Sequence, residues 1–182
     1  MRKIGLIYTG GTIGMRQNEN GKLAPMDFKG VTDRVPALGL LPIEIIPVAL
    51  ADPIDSSEMV PEVWIELIEV LESMMDEVDG FVVLHGTDTM AYTACALSFM
   101  IQGLQKPIII TGSQLPVGVL RTDAVENLVS AFEFAAMSNE NGFPIIREVC
   151  IYFEYQLLRG NRAYKRSSNE FDAFSSPNFP AL

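Results

Sequence analysis

The chain has 182 residues, 48% of them hydrophobic and 20% charged, a composition typical of a globular domain with a buried core. Its formal net charge of -10, with no run of Lys or Arg, opposes binding to a phosphate backbone and excludes nucleic acid as an expected partner. The apolar stretch after Arg2 and Lys3 is about five residues long, too short for a signal peptide or a membrane span. These features predict a cytoplasmic protein without a membrane partner.

The predicted elements alternate between strand-like and helix-like runs. In chain order they are a strand at 3–9, a loop at 10–30, a strand at 43–49, a helix at 61–78, a strand at 80–85, a helix at 89–103, a strand at 107–111, a helix at 123–137, a strand at 147–154 and a loop at 155–182. The helix at 123–137 opens with Asp123 and Glu126 at capping-box spacing. Several strands are nearly continuous apolar runs, which is typical of parallel sheets covered on both faces. We therefore predict one α/β domain over residues 1–182, with a mainly parallel sheet between two helical layers.

Cysteine and histidine usage limits the chemistry. Cys95 and Cys150, the only cysteines, lie in apolar segments, so we expect two buried free thiols in a reducing compartment. His85 is the only histidine, and without a Cys/His cluster no metal site is expected. We interpret His85 as a hydrogen-bonded residue at the end of a strand. No cofactor is predicted.

Polar segments follow the strands where ligands bind in an open parallel sheet, beyond the carboxyl ends. They are residues 8–12 (YTGGT), 52–58 (DPIDSSE), 85–89 (HGTDT) and 111–114 (TGSQ). The first matches only part of a dinucleotide fingerprint and lacks the Gly-Lys-Ser/Thr of a Walker loop. Ser113 has no G-x-S-x-G context for a histidine-based hydrolase. What remains is a nucleophile that is served by a base other than histidine.

Several longer motifs carry a resemblance to a known family. They are YTGGTIGM, IDSSEM, DGFVVLHGTDTMAYTACALSF, KPIIITGSQLP, RTDAVENL, RGNRAYK and FDAFSSPN, which together extend along essentially the whole chain. In these motifs the chain resembles the bacterial-type L-asparaginases, and among them the cytoplasmic type I branch. The resemblance implies hydrolysis of the side-chain amide of L-asparagine to L-aspartate and ammonia, through a threonine nucleophile and an acyl-enzyme.

The resemblance also implies roles for individual residues. Thr12 matches the nucleophile, and Thr87, Asp88 and Lys165 match a Thr-Lys-Asp triad. The implied substrate-binding residues are Gly11, Asp55, Ser56, Ser57, Gly86 and Ser113. Backbone N–H groups around Thr12 and Thr87 are candidates for the oxyanion site. Because a neighbouring Asp88 favours charged lysine, we expect Lys165 to orient Thr87 and stabilise charge, while protons move through hydroxyls or a water.

Plainer interpretations of the same residues exist. Thr87 and Thr89 could cap the helix at 89–103, Ser56 or Ser57 could cap the helix at 61–78, and Lys165 could be a solvated loop residue. The protein could also be a non-catalytic amino-acid-binding domain, or an amidohydrolase that prefers glutamine or another amide.

Two family features bear on this chain as expectations. The loop after Thr12 is expected to act as a lid, although the tyrosine that many members carry there has no match in residues 18–25. Family members continue after a linker into a smaller C-terminal domain, and this chain stops near that linker. In the two-domain protein that domain is expected to complete the substrate pocket. The two-domain protein is also expected to form a homo-oligomer, either a dimer or a tetramer.

Overall fold

The computed structural model describes residues 1–17, 23–25, 28–50 and 53–182. The strands are β1 (Arg2–Tyr8), β2 (Met15–Gln17), β3 (Leu23–Pro25), β4 (Ile43–Ala49), β5 (Gly80–Leu84), β6 (Ile108–Thr111), β7 (Val149–Phe153), β8 (Gln156–Arg159), β9 (Tyr164–Lys165) and β10 (Phe174–Ser175). The α-helices are α1 (Phe28–Thr32), α2 (Pro61–Met74), α3 (Met90–Met100) and α4 (Ala124–Ala136). Short 3-10 turns cover Thr12–Gly14, Pro36–Leu40 and Ser56–Glu58. Every predicted strand and helix is confirmed, although α2 ends earlier than predicted.

A single sheet of six strands forms the centre of the fold, in the order β4-β1-β5-β6-β7-β8. All neighbours from β4 to β7 are parallel, and β8 is antiparallel to β7. Since β4 and β5 lie on opposite sides of β1, the strand order reverses between β1 and β5. A crevice for a ligand is expected at this reversal, outside the carboxyl ends of the two strands.

Helices cover both faces of the sheet, as predicted. On one face α4 packs Leu128 and Phe132 against Leu6 of β1, within the same buried cluster. On the other face α2 and α3 pack against a second cluster that contains Ile7 of β1. Because successive side chains of a strand point to opposite faces, one apolar run supplies both cores.

The C-terminal region is more regular than predicted. Instead of a loop, residues 155–182 contain β8, which forms a hairpin with β7, and the antiparallel pair β9 and β10. The hairpin turn holds Glu154 and Tyr155 at φ 45° and 61°. Turns with two positive φ values usually carry Asn-Gly or Asp-Gly, so Glu-Tyr gives no hairpin signal in the sequence.

The prediction of a loop at 10–30 is also wrong in part. Strands β2 and β3 pair antiparallel, with Met15 opposite Pro25, and α1 begins within the same range. Two strands of three residues each fall below the length at which apolar alternation can be recognised. The expected lid falls largely on residues 18–22, which lie outside the described residues.

The two cysteines are free thiols, as predicted. Cys150 is fully buried in β7, and that burial raises the pKa of its thiol to about 12. Cys95 is only half-buried, because it lies on α3 and lines a surface cavity together with Tyr92 and Lys165, so its predicted burial is wrong. In the part of the chain that the structure describes, none of the helices combines the length and the apolar character needed to cross a bilayer.

Candidate active site

Glycines allow the loops at the strand ends to meet closely. A Cβ atom on Gly11 would lie 2.5 Å from the backbone nitrogen of Gly86, and Gly11 has φ 92°, a value that side chains disfavour. A Cβ atom on Gly86 would in turn lie 2.4 Å from Ser56 Oγ. The loops after β1, β4 and β5 are therefore in direct contact, and the segments that carry Thr12, Ser56 and Thr87 meet where the crevice is expected.

Lys165 reaches this crevice from the far end of the chain. Its Nζ donates hydrogen bonds to Thr87 Oγ1 at 2.8 Å and to Asp88 Oδ1 at 2.7 Å. The Lys165 side chain is 12% exposed, whereas that of Asp88 is 65% exposed. The placement follows from β9, in which Lys165 pairs with Phe174, a residue that is buried in the core. Lys165 is therefore an ordered part of the site, and its interpretation as a solvated loop lysine is wrong.

Gln114 contacts Thr87, and this contact was not predicted from the sequence. Because Lys165 Nζ donates to Thr87 Oγ1, the hydroxyl proton of Thr87 is free to point at Gln114 Oε1, which lies 3.4 Å from Oγ1. The Gln114 amide is oriented by its Nε2, which donates to the carbonyl of Glu170 at 2.9 Å. The sequence signal that could have found Gln114 is its position beside Ser113 in the TGSQ segment.

The loop after β4 presents Asp55, Ser56 and Ser57. Asp55 Oδ1 accepts hydrogen bonds from Ser57 N and Ser57 Oγ, both at 2.9 Å. The backbone hydrogen bond, followed by the hydroxyl one, lowers the pKa of the Asp55 carboxyl below its ordinary value. Asp55 and Ser57 are exposed, whereas Ser56 is buried. Asp52, at the start of the same segment, lies outside the described residues.

The capping interpretations of these hydroxyls are wrong. Helix α2 has Val60 at its N-cap and no side-chain capping bond, so neither Ser56 nor Ser57 caps it. Thr89 stands at the N-cap of α3 but makes no capping bond, and its hydroxyl donates instead to the Ser56 carbonyl at 2.7 Å. Thr87 is bonded to Lys165, as described above. Contacts between loops have replaced the local caps that are typical of these residue types.

Asp123 holds the loop after β6 and does not form the predicted capping box. Its Oδ2 accepts from Gln114 N at 2.8 Å and its Oδ1 accepts from Leu115 N at 3.1 Å. Glu126, the other half of the expected box, accepts from the Tyr152 hydroxyl. Both carboxylates meet tertiary partners because the 113–115 segment and β7 lie beside the start of α4. Ser113 is thereby fixed in a buried position next to the crevice.

His85 is fully buried and has a hydrogen-bond partner at each ring nitrogen, which confirms its interpretation as a bonded residue at a strand end. Nδ1 lies 2.7 Å from the Gly86 carbonyl oxygen, and Nε2 lies 2.9 Å from Thr93 Oγ1. Thr93 Oγ1 also accepts from Trp64 Nε1 at 3.0 Å. Burial lowers the pKa of His85 to about 4, so the imidazole is neutral near pH 7.

Comparison with known proteins places this arrangement in a family. Residues 3–182 match the family described as Asparaginase, N-terminal. The chain belongs to the asparaginase family. L-asparaginase 1 of Escherichia coli K12 is 45% identical, over 100% of this chain and 52% of its own length. The structure of L-asparaginase I from Vibrio cholerae superposes with a TM-score of 0.84 at 40% identity, covering 100% of this chain and 53% of that protein.

Other relatives of this asparaginase-family chain carry a different name. The 60 kDa lysophospholipase of Mus musculus is 38% identical, over 100% of this chain and 35% of its own length. The chain thus spans about half the length, or less, of these relatives. The α/β architecture predicted from the sequence is confirmed by the L-asparaginase structures that this chain resembles.

Proposed function

We propose that this chain is the catalytic N-terminal domain of an enzyme that hydrolyses L-asparagine to L-aspartate and ammonia. The observation that carries the proposal is the Lys165–Thr87–Asp88 cluster, assembled beside the loop of Thr12 at the switch point of the sheet. The names of the asparaginase relatives support the same reaction. A partly buried cation next to two hydroxyl-bearing loops suits an acyl transfer in which negative charge develops on an amide oxygen.

The reaction proceeds in two balanced steps. The Thr12 hydroxyl attacks the side-chain amide carbon of asparagine, and its proton is passed to the leaving nitrogen, which departs as ammonia when the C–N bond breaks. A water then attacks the resulting ester, and aspartate leaves as the Thr12 hydroxyl is restored. Thr12 is half-buried on the turn after β1, where a ligand in the crevice can reach its hydroxyl.

Lys165 acts in this scheme as a charged group that orients Thr87. Its two short contacts, to a hydroxyl and to a carboxylate, are donor contacts of an ammonium group. The Thr12 proton therefore leaves through the Thr87 hydroxyl or a water. The backbone N–H groups around Gly11–Thr12 and Gly86–Thr87 stabilise the developing oxyanion.

The remaining predicted residues recognise the amino-acid end of the substrate. Exposed Asp88 attracts the α-ammonium group, and the loop of Asp55, Ser56 and Ser57 binds the α-carboxylate and ammonium end through hydroxyl and backbone donors. The backbone at Ser113 meets the side-chain amide. The loops carrying these groups converge on the crevice, and that convergence supports the assignment.

The complete protein is proposed to be a two-domain homo-oligomer, a dimer or a tetramer. In it the smaller C-terminal domain of the family completes the pocket. A cytoplasmic location is proposed on the support of the two free thiols, which suit a reducing compartment.

The test is ammonia release from L-asparagine by a joined protein, which consists of this chain followed by the C-terminal half of the E. coli relative, and by its Thr12→Ala and Thr87→Val variants. Each variant should lose at least about 10³ in kcat, near 4 kcal/mol of barrier. Ser73→Ala, which removes an exposed hydroxyl on α2, serves as the control and should keep full activity. Either active-site variant retaining a tenth of the turnover would remove its assigned role.

The same assay separates the rival functions. Faster turnover of L-glutamine than of L-asparagine would indicate a different amide substrate. Binding of L-aspartate in calorimetry without release of ammonia would indicate a non-catalytic amino-acid-binding domain.

A further inference from the structure

The hydrogen bonds around His85 admit only one arrangement of protons. The Gly86 carbonyl can only accept, so Nδ1 of His85 carries the ring proton and donates it. Nε2 is then an acceptor, and the Thr93 hydroxyl must donate to it. The Trp64 indole N–H can only donate, and it fills the acceptor side of the same hydroxyl. The chain of donors runs from Trp64 through Thr93 and His85 to the Gly86 carbonyl.

The end of that chain fixes one peptide plane. The Gly86 carbonyl and the Thr87 N–H belong to the same planar, trans peptide group, in which C=O and N–H point in opposite directions. A donor that holds the Gly86 oxygen on the side of His85 therefore directs the Thr87 N–H to the opposite side. Glycine at position 86 has no side chain to limit rotation of this plane, so an external clamp has a large effect.

The Thr87 N–H has no hydrogen-bond acceptor among the described residues. The Thr87 hydroxyl, by contrast, is bonded to Lys165. A Cβ atom on Gly11 would lie 2.6 Å from the Cα atom of Gly86, which places the Gly86–Thr87 peptide beside the Thr12 loop.

We infer that His85 is a positioning residue, which clamps the Gly86–Thr87 peptide so that the Thr87 N–H points at the oxygen of the scissile amide. Thr93 sets the tautomer of His85 by donating to Nε2, and Trp64 orients the Thr93 hydroxyl by donating to it. The inference rests on the proposed function, because the oxygen that the N–H meets is that of the asparagine side chain. His85 itself does not touch substrate, since it is fully buried below the loop.

Two substitutions at one position separate the clamp from simple packing. In His85→Asn the side-chain amide nitrogen replaces Nδ1 and keeps the donor to Gly86. In His85→Gln the amide group lies nearer the position of Nε2 and faces Thr93, and the donor to Gly86 is lost. In the joined protein we expect kcat for L-asparagine to fall at least about tenfold in His85→Gln with KM within about threefold, because loss of a whole oxyanion donor costs about 10² to 10³ in kcat. His85→Asn should retain at least about a third of the wild-type kcat. Equal losses in the two variants would overturn the inference.

A second pair of substitutions keeps the test decisive where a His85 variant fails to fold. Thr93→Val removes the hydroxyl that donates to Nε2 but keeps the side-chain shape, and Thr93→Ser keeps the hydroxyl. We expect Thr93→Val to lower kcat several-fold with an unchanged KM, and Thr93→Ser to restore it. Unchanged kcat in Thr93→Val would refute the part assigned to Thr93 and Trp64.

The tautomer can be read independently of activity, because the chain contains a single histidine. In ¹⁵N NMR spectra between pH 5 and 8, Nδ1 should resonate as a protonated nitrogen and Nε2 as an unprotonated one. The opposite tautomer would overturn the clamp even in an active enzyme. Absence of ammonia release by the wild-type joined protein would instead overturn the proposed function and, with it, the catalytic use of the clamp, while leaving the tautomer result standing.

Discussion

The burial of His85 predicts a measurable dependence of stability on pH. Its pKa is about 4 in the folded chain and 6.5 in the unfolded one. Between these values the unfolded state binds more protons, so the free energy of unfolding rises with pH across this window. The contribution is fully present above pH 6.5, is lost progressively down to about pH 4, and does not change further below that.

The magnitude follows from the same two values. One pKa unit corresponds to 1.36 kcal/mol, so a difference of about 2.5 units makes the folded chain about 3 kcal/mol less stable at pH 4 than at pH 7 through this residue alone. At pH 5 roughly 2 kcal/mol of that should already be lost.

The assay is urea unfolding of the wild-type chain and of His85→Asn at pH 4 to 7.5. Carboxylates titrate in the same window, but they do so in both proteins, and the difference between the two isolates His85. We expect the wild-type advantage in free energy of unfolding over His85→Asn to shrink by about 3 kcal/mol between pH 7 and pH 4. A difference that stays constant within about 1 kcal/mol would refute the reasoning, since it would show that His85 is accessible to protons in the folded state.

Three further predictions concern the site and the domain. Lys165→Met should lower kcat at least about 10³-fold, because two charge-assisted donor contacts are lost. The kcat of Lys165→Arg should be at least about tenfold higher than that of Lys165→Met. Near-wild-type turnover of the arginine variant would exclude a neutral lysine base. Gly11→Ala should lower the free energy of unfolding in urea by about 3 kcal/mol, because the added Cβ meets the Gly86 backbone and Gly11 has a positive φ. In the control Gly39→Ala the added Cβ meets nothing within 4 Å, so the free energy of unfolding should change by under about 1 kcal/mol. Equal effects of the two substitutions would contradict the packing argument. The 182-residue chain should show a cooperative thermal melt on its own. Its rate of ammonia release should be less than about 1% of that of the joined protein. Comparable rates would show that the pocket is complete without the C-terminal half.

The fold was accessible from the sequence wherever a local pattern repeats. Strands β1 and β4–β7 could be located from their apolar runs, because a strand buried on both faces is nearly continuously apolar. Helix α2 could be located from its helical spacing, because a helix buried on one face repeats apolar residues every three or four positions. The same patterns failed at β8, where Glu154 and Tyr155 make a tight turn without glycine. They failed again at β2, β3, β9 and β10, which are too short to show a period.

The glycines and hydroxyls at the strand ends were also accessible, since topology alone sends the carboxyl ends of parallel strands to one edge. The partners of those residues were not. Asp123 has the sequence context of a helix cap, yet it holds the 113–115 loop, and Thr89 donates to Ser56 rather than to its own helix. A short polar side chain forms whichever hydrogen bond its surroundings offer, and only the packed structure decides which donors come within 3 Å.

The sequence by itself determined an α/β domain with a polar, glycine-containing edge, and the residue types available there for chemistry. No local pattern brings Lys165 to Thr87, 78 positions earlier in the chain; the family resemblance implied this contact, and the tertiary structure forms it through the pairing of β9 with β10. The tertiary structure alone decided that His85 presents its Nδ1 proton to Gly86, because the tautomer depends on Thr93 and Trp64 from two different helices. The physical reason is that local propensities act over a few residues, whereas contacts between distant segments and the protons they share are set when the helices close over the sheet.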